Sequence, residues 1–170
     1  MKQDFSRGTV VAVSGGFDPV HIGHVRMFNE AKKLGDYLIV IANNDAWLEQ
    51  KKGYAFMPEH QRKEILESFA AVDEVMLTFH QPHTEDDTVC DELRAIRPDV
   101  FANGGDRKEG NVPEYSVCKE LGIDMKFNIG HGGKVQSSSE LVKRAKVLEQ
   151  ELILQAAMRG NDSLSEMARG

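Results

Sequence analysis

An α/β domain built on a five-stranded parallel sheet is what this chain predicts, on three observations. Short β-branched or wholly apolar runs recur along it, amphipathic stretches separate them, and the first run breaks at Gly15-Gly16 just before a helical pattern. Such alternation favours a doubly wound sheet with right-handed crossovers, which binds ligands beyond the carboxyl ends of its strands.

Taken in order, Thr9 to Ser14 is a β-branched strand candidate, and Ile22 to Leu34 is amphipathic at helical spacing. Gly35 is a helix stop, and Tyr37 to Ala42 is continuously apolar, as a strand covered on both faces must be. Asn43 to Tyr54 is polar and reads as a loop. A helix is predicted from Pro58 to Ala70, since proline suits a first turn, followed by a strand at Glu74 to Leu77. Helices are expected over Thr88–Ile96 and Pro113–Leu121, with a strand at Asp99–Ala102 between them and a last strand at Asp124–Asn128. Ser138 to Ala157 is helical in pattern. Arg159 to Gly170 is polar and glycine-punctuated, so residues 1–158 are expected to form one Rossmann-like domain and 159–170 a flexible tail.

The chain has 170 residues, which suits one domain, and 41% hydrophobic with 28% charged residues permits a real core. A formal net charge of -6 argues against a nucleic-acid or anionic-membrane surface. No apolar run reaches the ~20 residues of a membrane span, and Met1 to Gly8 does not resemble a secretion signal, so a cytoplasmic location is expected. Cys90 and Cys118 lack neighbours at metal-ligand spacing and are expected to be reduced thiols.

Chemistry concentrates in Gly15-Gly16-Phe17-Asp18-Pro19-Val20-His21-Ile22-Gly23-His24, at the first strand-to-helix junction. Histidines three apart at a helix start share nearly one face, beside free backbone N–H groups and the positive end of the helix dipole. Phosphate fits such a place, and imidazole donors grip it harder as charge builds in the transition state. A second string, Gln136-Ser137-Ser138-Ser139-Glu140-Leu141-Val142-Lys143-Arg144, has serines at a helix start and a base about one turn inside, again suited to an anion.

The first string resembles the His-x-Gly-His signature of the nucleotidyltransferase superfamily of cytidylyl- and adenylyltransferases. The second resembles that superfamily's Ile-Ser-Ser-Thr segment, with Gln136 departing from the usual apolar residue. The resemblance implies that a phosphate oxygen of a small phosphorylated sugar or alcohol attacks the α-phosphorus of ATP or CTP and releases pyrophosphate. It implies catalytic roles for His21, His24 and one of Lys51 and Lys52. Nucleotide contacts are implied for Gly15, Gly16, Phe17, Asp18 and Gly23 around the histidines, and for Arg62, which could reach a phosphate. Ser137, Ser138 and Ser139, with Lys143 or Arg144, would hold the triphosphate. Mg²⁺ is expected on the triphosphate, with Asp18 or Asp106 able to assist and no separate protein metal site.

Asn103-Gly104-Gly105-Asp106-Arg107 resembles the Gly-Gly-Asp segment of sugar-phosphate adenylyltransferases of the heptose type, which adds Gly104 and Asp106 to the expected nucleotide contacts and favours ATP and a sugar phosphate. Gly132 and Gly133, where glycerol-phosphate enzymes place Arg-Thr, point the same way, and Lys134 could supply the charge. The alternatives are a cytidylyltransferase acting on glycerol, choline or ethanolamine phosphate, or a silent nucleotide-binding domain. Trp47 and Phe56 flank the lysines and are read as core, with stacking over a substrate as the alternative. His80 and His83 are read as surface or pocket wall, and His131 as loop or substrate contact. A homo-oligomer is compatible with the helix from Ser138.

Overall fold

A computed structural model of the chain describes residues 8–105, 107–130 and 136–167, without the side chains of 109 and 158–167. The elements are β1 (Val10–Gly15), α1 (Ile22–Ala31), a 3₁₀ turn at Lys32–Leu34, β2 (Tyr37–Ala42), α2 (Asp45–Lys52), α3 (Glu59–Glu67) and β3 (Glu74–Leu77). They continue through α4 (Cys90–Ile96), β4 (Val100–Gly104), a 3₁₀ turn at Glu109–Asn111, α5 (Tyr115–Leu121), β5 (Asp124–Ile129) and α6 (Ser138–Met167). The chain divides into two compact units, Met1–Gln136 and Ser137–Gly170.

In the first unit all five strands are parallel in the order β3-β2-β1-β4-β5, the doubly wound arrangement expected. Strand alternation divides the core between two faces. Val11 and Val13 of β1 with Leu38, Val40 and Ala42 of β2 pack with Met27 and Phe28 of α1 and Leu66 of α3. Val10, Ala12, Ile39 and Ile41 face the other way, against Leu93 and Ile96 of α4 and Val117 and Cys118 of α5. A one-residue slip would exchange both faces, so the apolar pattern fixes the register.

At the amino edge, aspartates accept from strand N–H groups: Asp36 from Thr9 at 2.8 Å, Asp99 from Val10 at 2.7 Å and Asp73 from Leu38 at 2.6 Å. The carboxyl edge differs. Beyond β1 lies the glycine-histidine turn, and the winding reverses between β1 and β4, where an open sheet leaves its crevice.

Two elements depart from the sequence reading. Asp45–Lys52 is a helix and not a loop: the Asn44 side chain accepts from Trp47 N at 3.0 Å as N-cap, and Gly53 closes the end at φ 82°. Only Leu48 of α2 is buried, so no apolar stripe announced it. In the second unit, α6 runs to Met167, past the Ala157 where the helical pattern fades.

Candidate active site

His21 is the N-cap of α1 and His24 the third residue of its first turn. The His21 Nδ1 accepts from Gly23 N at 3.1 Å, and the His24 Nδ1 accepts from His21 N at 3.2 Å, so each ring caps a free helix donor. The rings stack with centroids 3.6 Å apart. Because both Nδ1 atoms accept, each neutral imidazole carries its proton on Nε2, leaving two Nε2–H donors at a helix start. Gly23 leaves room for His21 to fold back over it: a Cβ there would lie 3.0 Å from the His21 Cε1.

Burial lowers the pKa of both rings, and for His24 the neighbouring His21 and Lys52 lower it further, to about 3. A base whose folded pKa is depressed contributes its full stability above the ordinary value of 6.5 and loses it as pH falls toward 3. Denaturation midpoints between pH 7 and pH 4 are therefore expected to fall more steeply for the wild type than for His24→Gln, by up to about 1.4 kcal/mol per pH unit. Parallel slopes would mean that His24 titrates normally.

The structure separates the two lysines. Lys51 points outward and pairs with Asp87 on the β3–α4 segment. Lys52 is half-buried on the other side of α2: a Cβ on Gly16 would stand 3.1 Å from Leu48 Cδ2, 3.7 Å from Lys52 Nζ and 4.0 Å from Trp47 Cζ3. Gly16 thus clears space beside the ammonium. Desolvation lowers the Lys52 pKa, Asp18 opposes that and Arg62 adds to it. The Trp47 indole N–H donates to Asp87 O at 2.9 Å, which fixes the ring near Gly16.

Three expected nucleotide contacts are occupied by the protein itself. Arg62 is 0% exposed, donating from Nε to Met57 O at 2.9 Å, from Nη1 to Gly16 O at 2.8 Å and Asn43 O at 2.6 Å, and from Nη2 to Asp45 Oδ1 at 2.7 Å. It is a bracket joining the β1 turn, the end of β2, α2 and α3, not a phosphate ligand. Asp18 is equally committed: its carboxylate accepts from Phe56 N at 2.8 Å and Met57 N at 2.7 Å, holding the α2–α3 connection against the histidine turn. Phe17 is buried, edge-on to His24 at 4.9 Å and against Phe28 at 5.4 Å, so its ring packs against both. Gly15 accommodates that ring, since a Cβ there would lie 3.0 Å from Phe17 Cζ.

At the end of β4, Gly104 passes close to α1: an added Cβ would meet Met27 Sδ at 2.8 Å and Ile129 O at 3.1 Å. Its smallness serves packing. Arg107 stands 3.7 Å from the buried Glu114, whose Oε1 accepts from Val89 N at 3.3 Å. Asp106, His131, Gly132, Gly133 and Lys134 lie outside the described residues. The reading of Phe56 as core is overturned, since its side chain is 54% exposed. His80 is half-buried with Nε2 2.9 Å from Thr88 O, and His83 is exposed.

A glycine turn, two Nε2–H donors at a helix start and a half-buried lysine beside them stand together at the sheet's carboxyl edge, an arrangement whose chemistry suits an anion. A family model described as cytidylyltransferase-like matches residues 12–154. The chain belongs to the cytidylyltransferase-like family. It is 39% identical over 145 residues to the FAD synthase of Ferroglobus placidus, covering 85% of this chain and 88% of that protein. It is 38% identical over 117 residues to the bifunctional protein HldE of Streptomyces coelicolor, covering 68% of this chain but 24% of HldE, so it spans about a quarter of that protein. Among solved structures, the lipopolysaccharide core biosynthesis protein of Thermoplasma volcanium matches with TM-score 0.59 and 26% identity, over 72% of this chain and 96% of that one.

In this member of the cytidylyltransferase-like family the serine string opens α6, in the second unit. Ser138 is buried, Ser137 and Ser139 are half-buried, and Lys143 and Arg144 are exposed. On a helix Lys143 is four residues from Ser139 and shares its face, whereas Arg144 shares a face with Glu140. Among the described residues no group of three or more His, Cys, Asp or Glu is arranged to hold a metal, and both Asp18 oxygens are engaged. No described helix is long and apolar enough to cross a membrane. The sequence reading missed Asp45 and Asp87, whose partners Arg62 and Lys51 lie 17 and 36 residues away, a separation that leaves no local signal.

Proposed function

We propose that this chain is a nucleotidyltransferase that moves AMP from ATP to the phosphate of a small phosphorylated acceptor. An acceptor phosphate oxygen forms a bond to the α-phosphorus while the bond from that phosphorus to the bridging α–β oxygen breaks. Pyrophosphate leaves with the electron pair, and no covalent enzyme intermediate forms. The observation that carries this reading is the histidine pair, whose Nδ1 atoms both accept from backbone donors, so that among the described residues both Nε2–H groups are left to meet phosphate oxygens. Held neutral by burial, they donate without a proton having to be gained first, and preorganised donors of this kind stabilise developing charge. Lys52 supplies the positive charge between donor and acceptor phosphates. Ser137 to Ser139 with Lys143, which shares the Ser139 face, hold the pyrophosphate. Mg²⁺ enters on the triphosphate, ligated by phosphate oxygens and water as a hard ion prefers, and neutralises leaving-group charge.

Two acceptors are supported by different observations. A sugar phosphate is supported by the Gly104-Gly105-Asp106 resemblance. FMN is supported by the match to a protein named FAD synthase over 88% of its length, since AMP transfer onto the FMN phosphate makes FAD. Pyrophosphate release is the test, with ATP and with CTP, against sugar 1-phosphates, FMN and phosphorylated alcohols in the presence of Mg²⁺. Turnover with ATP supports the reading, and turnover confined to CTP with an alcohol phosphate replaces it with a cytidylyltransferase.

The lysines supply a sharper prediction. Lys52→Ala is expected to lower kcat by about 10²–10³. Lys51→Ala, which removes only a surface pair with Asp87, should stay within about threefold of the wild type. Equal losses in the two variants would remove Lys52 from its role.

A further inference from the structure

The strands that flank β1 are joined to it unequally. β1 pairs with β2 from Val10↔Tyr37 through Gly15↔Ala42, to the ends of both strands, whereas its ladder with β4 holds Val11↔Val100 and Ala12↔Phe101 and stops there. β1 runs on to Gly15 and β4 to Gly104 without a further rung between them, so their carboxyl ends part where the winding reverses. The β4–β5 side of the sheet then needs another support at this edge, and on one face α1 supplies it. One turn after His24, Met27 packs under both strand exits: a Cβ on Gly104 would meet its Sδ at 2.8 Å, and one on Gly130 its backbone N and Cα at 3.3 Å. One turn further along, the half-buried Glu30 accepts from Gly130 N at 2.8 Å. β5 is shaped to present that donor. Between Ala102↔Lys126 and Gly104↔Ile129 it carries one residue more than β4, a bulge in which Asn128 takes φ 60°, and Gly130 follows at φ 102°, where glycine alone is at ease. Backbone in such conformations keeps its place only when its surroundings fix it.

We infer that Glu30 is a positioning residue: by tying the end of β5 to the helix that carries the histidine pair, it fixes the width of the crevice between β1 and β4 in which the nucleotide is held. The inference rests on the adenylyl-transfer reading and adds to it a residue that acts through the sheet and not on the phosphates. What the tie requires of Glu30 is an acceptor oxygen and not a charge, since an amide oxygen at the same place accepts from Gly130 N equally well. That requirement separates a tie from a carboxylate that meets a ligand or its metal.

The test measures ATP binding by titration calorimetry with Mg²⁺ present, and pyrophosphate release from ATP across the acceptor panel, both on the whole chain. Glu30→Ala should raise the Kd and the KM for ATP about tenfold while kcat stays within about threefold, because the contacts of His24 with His21 and Phe17 are untouched. Glu30→Gln should stay within about threefold of the wild type in all three quantities. Hydrogen exchange at the end of β5 should quicken in Glu30→Ala and not in Glu30→Gln, and equal rates in the wild type and Glu30→Ala overturn the tie. A Glu30→Ala variant that binds ATP as the wild type does and merely melts earlier overturns the positioning role. Glu30→Gln as weak as Glu30→Ala also overturns it, because the charge is then what matters. ATP binding that depends on Glu30, with no pyrophosphate released from any acceptor, keeps the inference and overturns the transferase reading instead. Pyrophosphate release with an ATP affinity indifferent to Glu30 does the reverse, and a wild type that binds no ATP overturns both.

Discussion

Replacing His24 with alanine is expected to lower kcat by about 10²–10³ while leaving the KM for ATP within a small factor of the wild type. The reason lies in how the ring is held. Its Nδ1 accepts from His21 N, Phe17 packs edge-on against it, and His21 stacks on its face, so the Nε2–H is aimed by three separate contacts. Interactions fixed in advance contribute most where charge develops, in the transition state, and little to ground-state nucleotide binding. Steady-state kinetics with ATP and the best acceptor from the panel measure both quantities. A variant with wild-type turnover would remove the histidine pair from the mechanism. One that lost only affinity would turn it into a binding element.

Arg62→Ala should act on stability first, by about 3–5 kcal/mol, because it removes the fully buried guanidinium that the Met57, Gly16 and Asn43 carbonyls and the half-exposed Asp45 carboxylate accept from. For a chain of this size that is a fall in Tm of roughly 10 °C or more. Arg62→Lys should recover little, since an ammonium cannot reproduce a planar fork that reaches partners on four segments. Thermal melts separate this from the phosphate-ligand role suggested by sequence, under which the variant would melt normally and lose only nucleotide affinity. Activity should fall as well, since Gly16 and the Asp18-bound α2–α3 connection both hang on the same guanidinium.

The parts of this site that were legible in the chain are those made by neighbours in sequence. His21, Gly23 and His24 lie within one helical turn, so their spacing alone places two imidazoles and a close backbone approach together at a helix start. Strand identity was equally local: Tyr37 to Ala42 is apolar throughout because both its faces are covered. α2 was not legible, because an eight-residue helix with one buried side chain has no periodicity to read. Nor was the choice between Lys51 and Lys52. Adjacent residues on a helix point about 100° apart, and which direction faces the site depends on what lies on each side, here Gly16 and Asp87.

The sequence by itself determined the α/β class, the parallel strands and the glycine-histidine turn at a helix start, since hydrophobic period, glycine placement and histidine spacing are properties of short segments. The tertiary structure decided the roles of the charged and aromatic residues. Arg62 and Asp18 carry the residue types of phosphate and metal ligands, and only the fold showed their hydrogen-bonding capacity taken up by backbone groups of segments distant in the chain. Phe56 has the composition of a core residue, and only the fold left it facing solvent. The physical reason is common to all three. A side chain's chemistry is set by its type, but whether that chemistry is available to a substrate is set by which partners long-range folding has already placed against it.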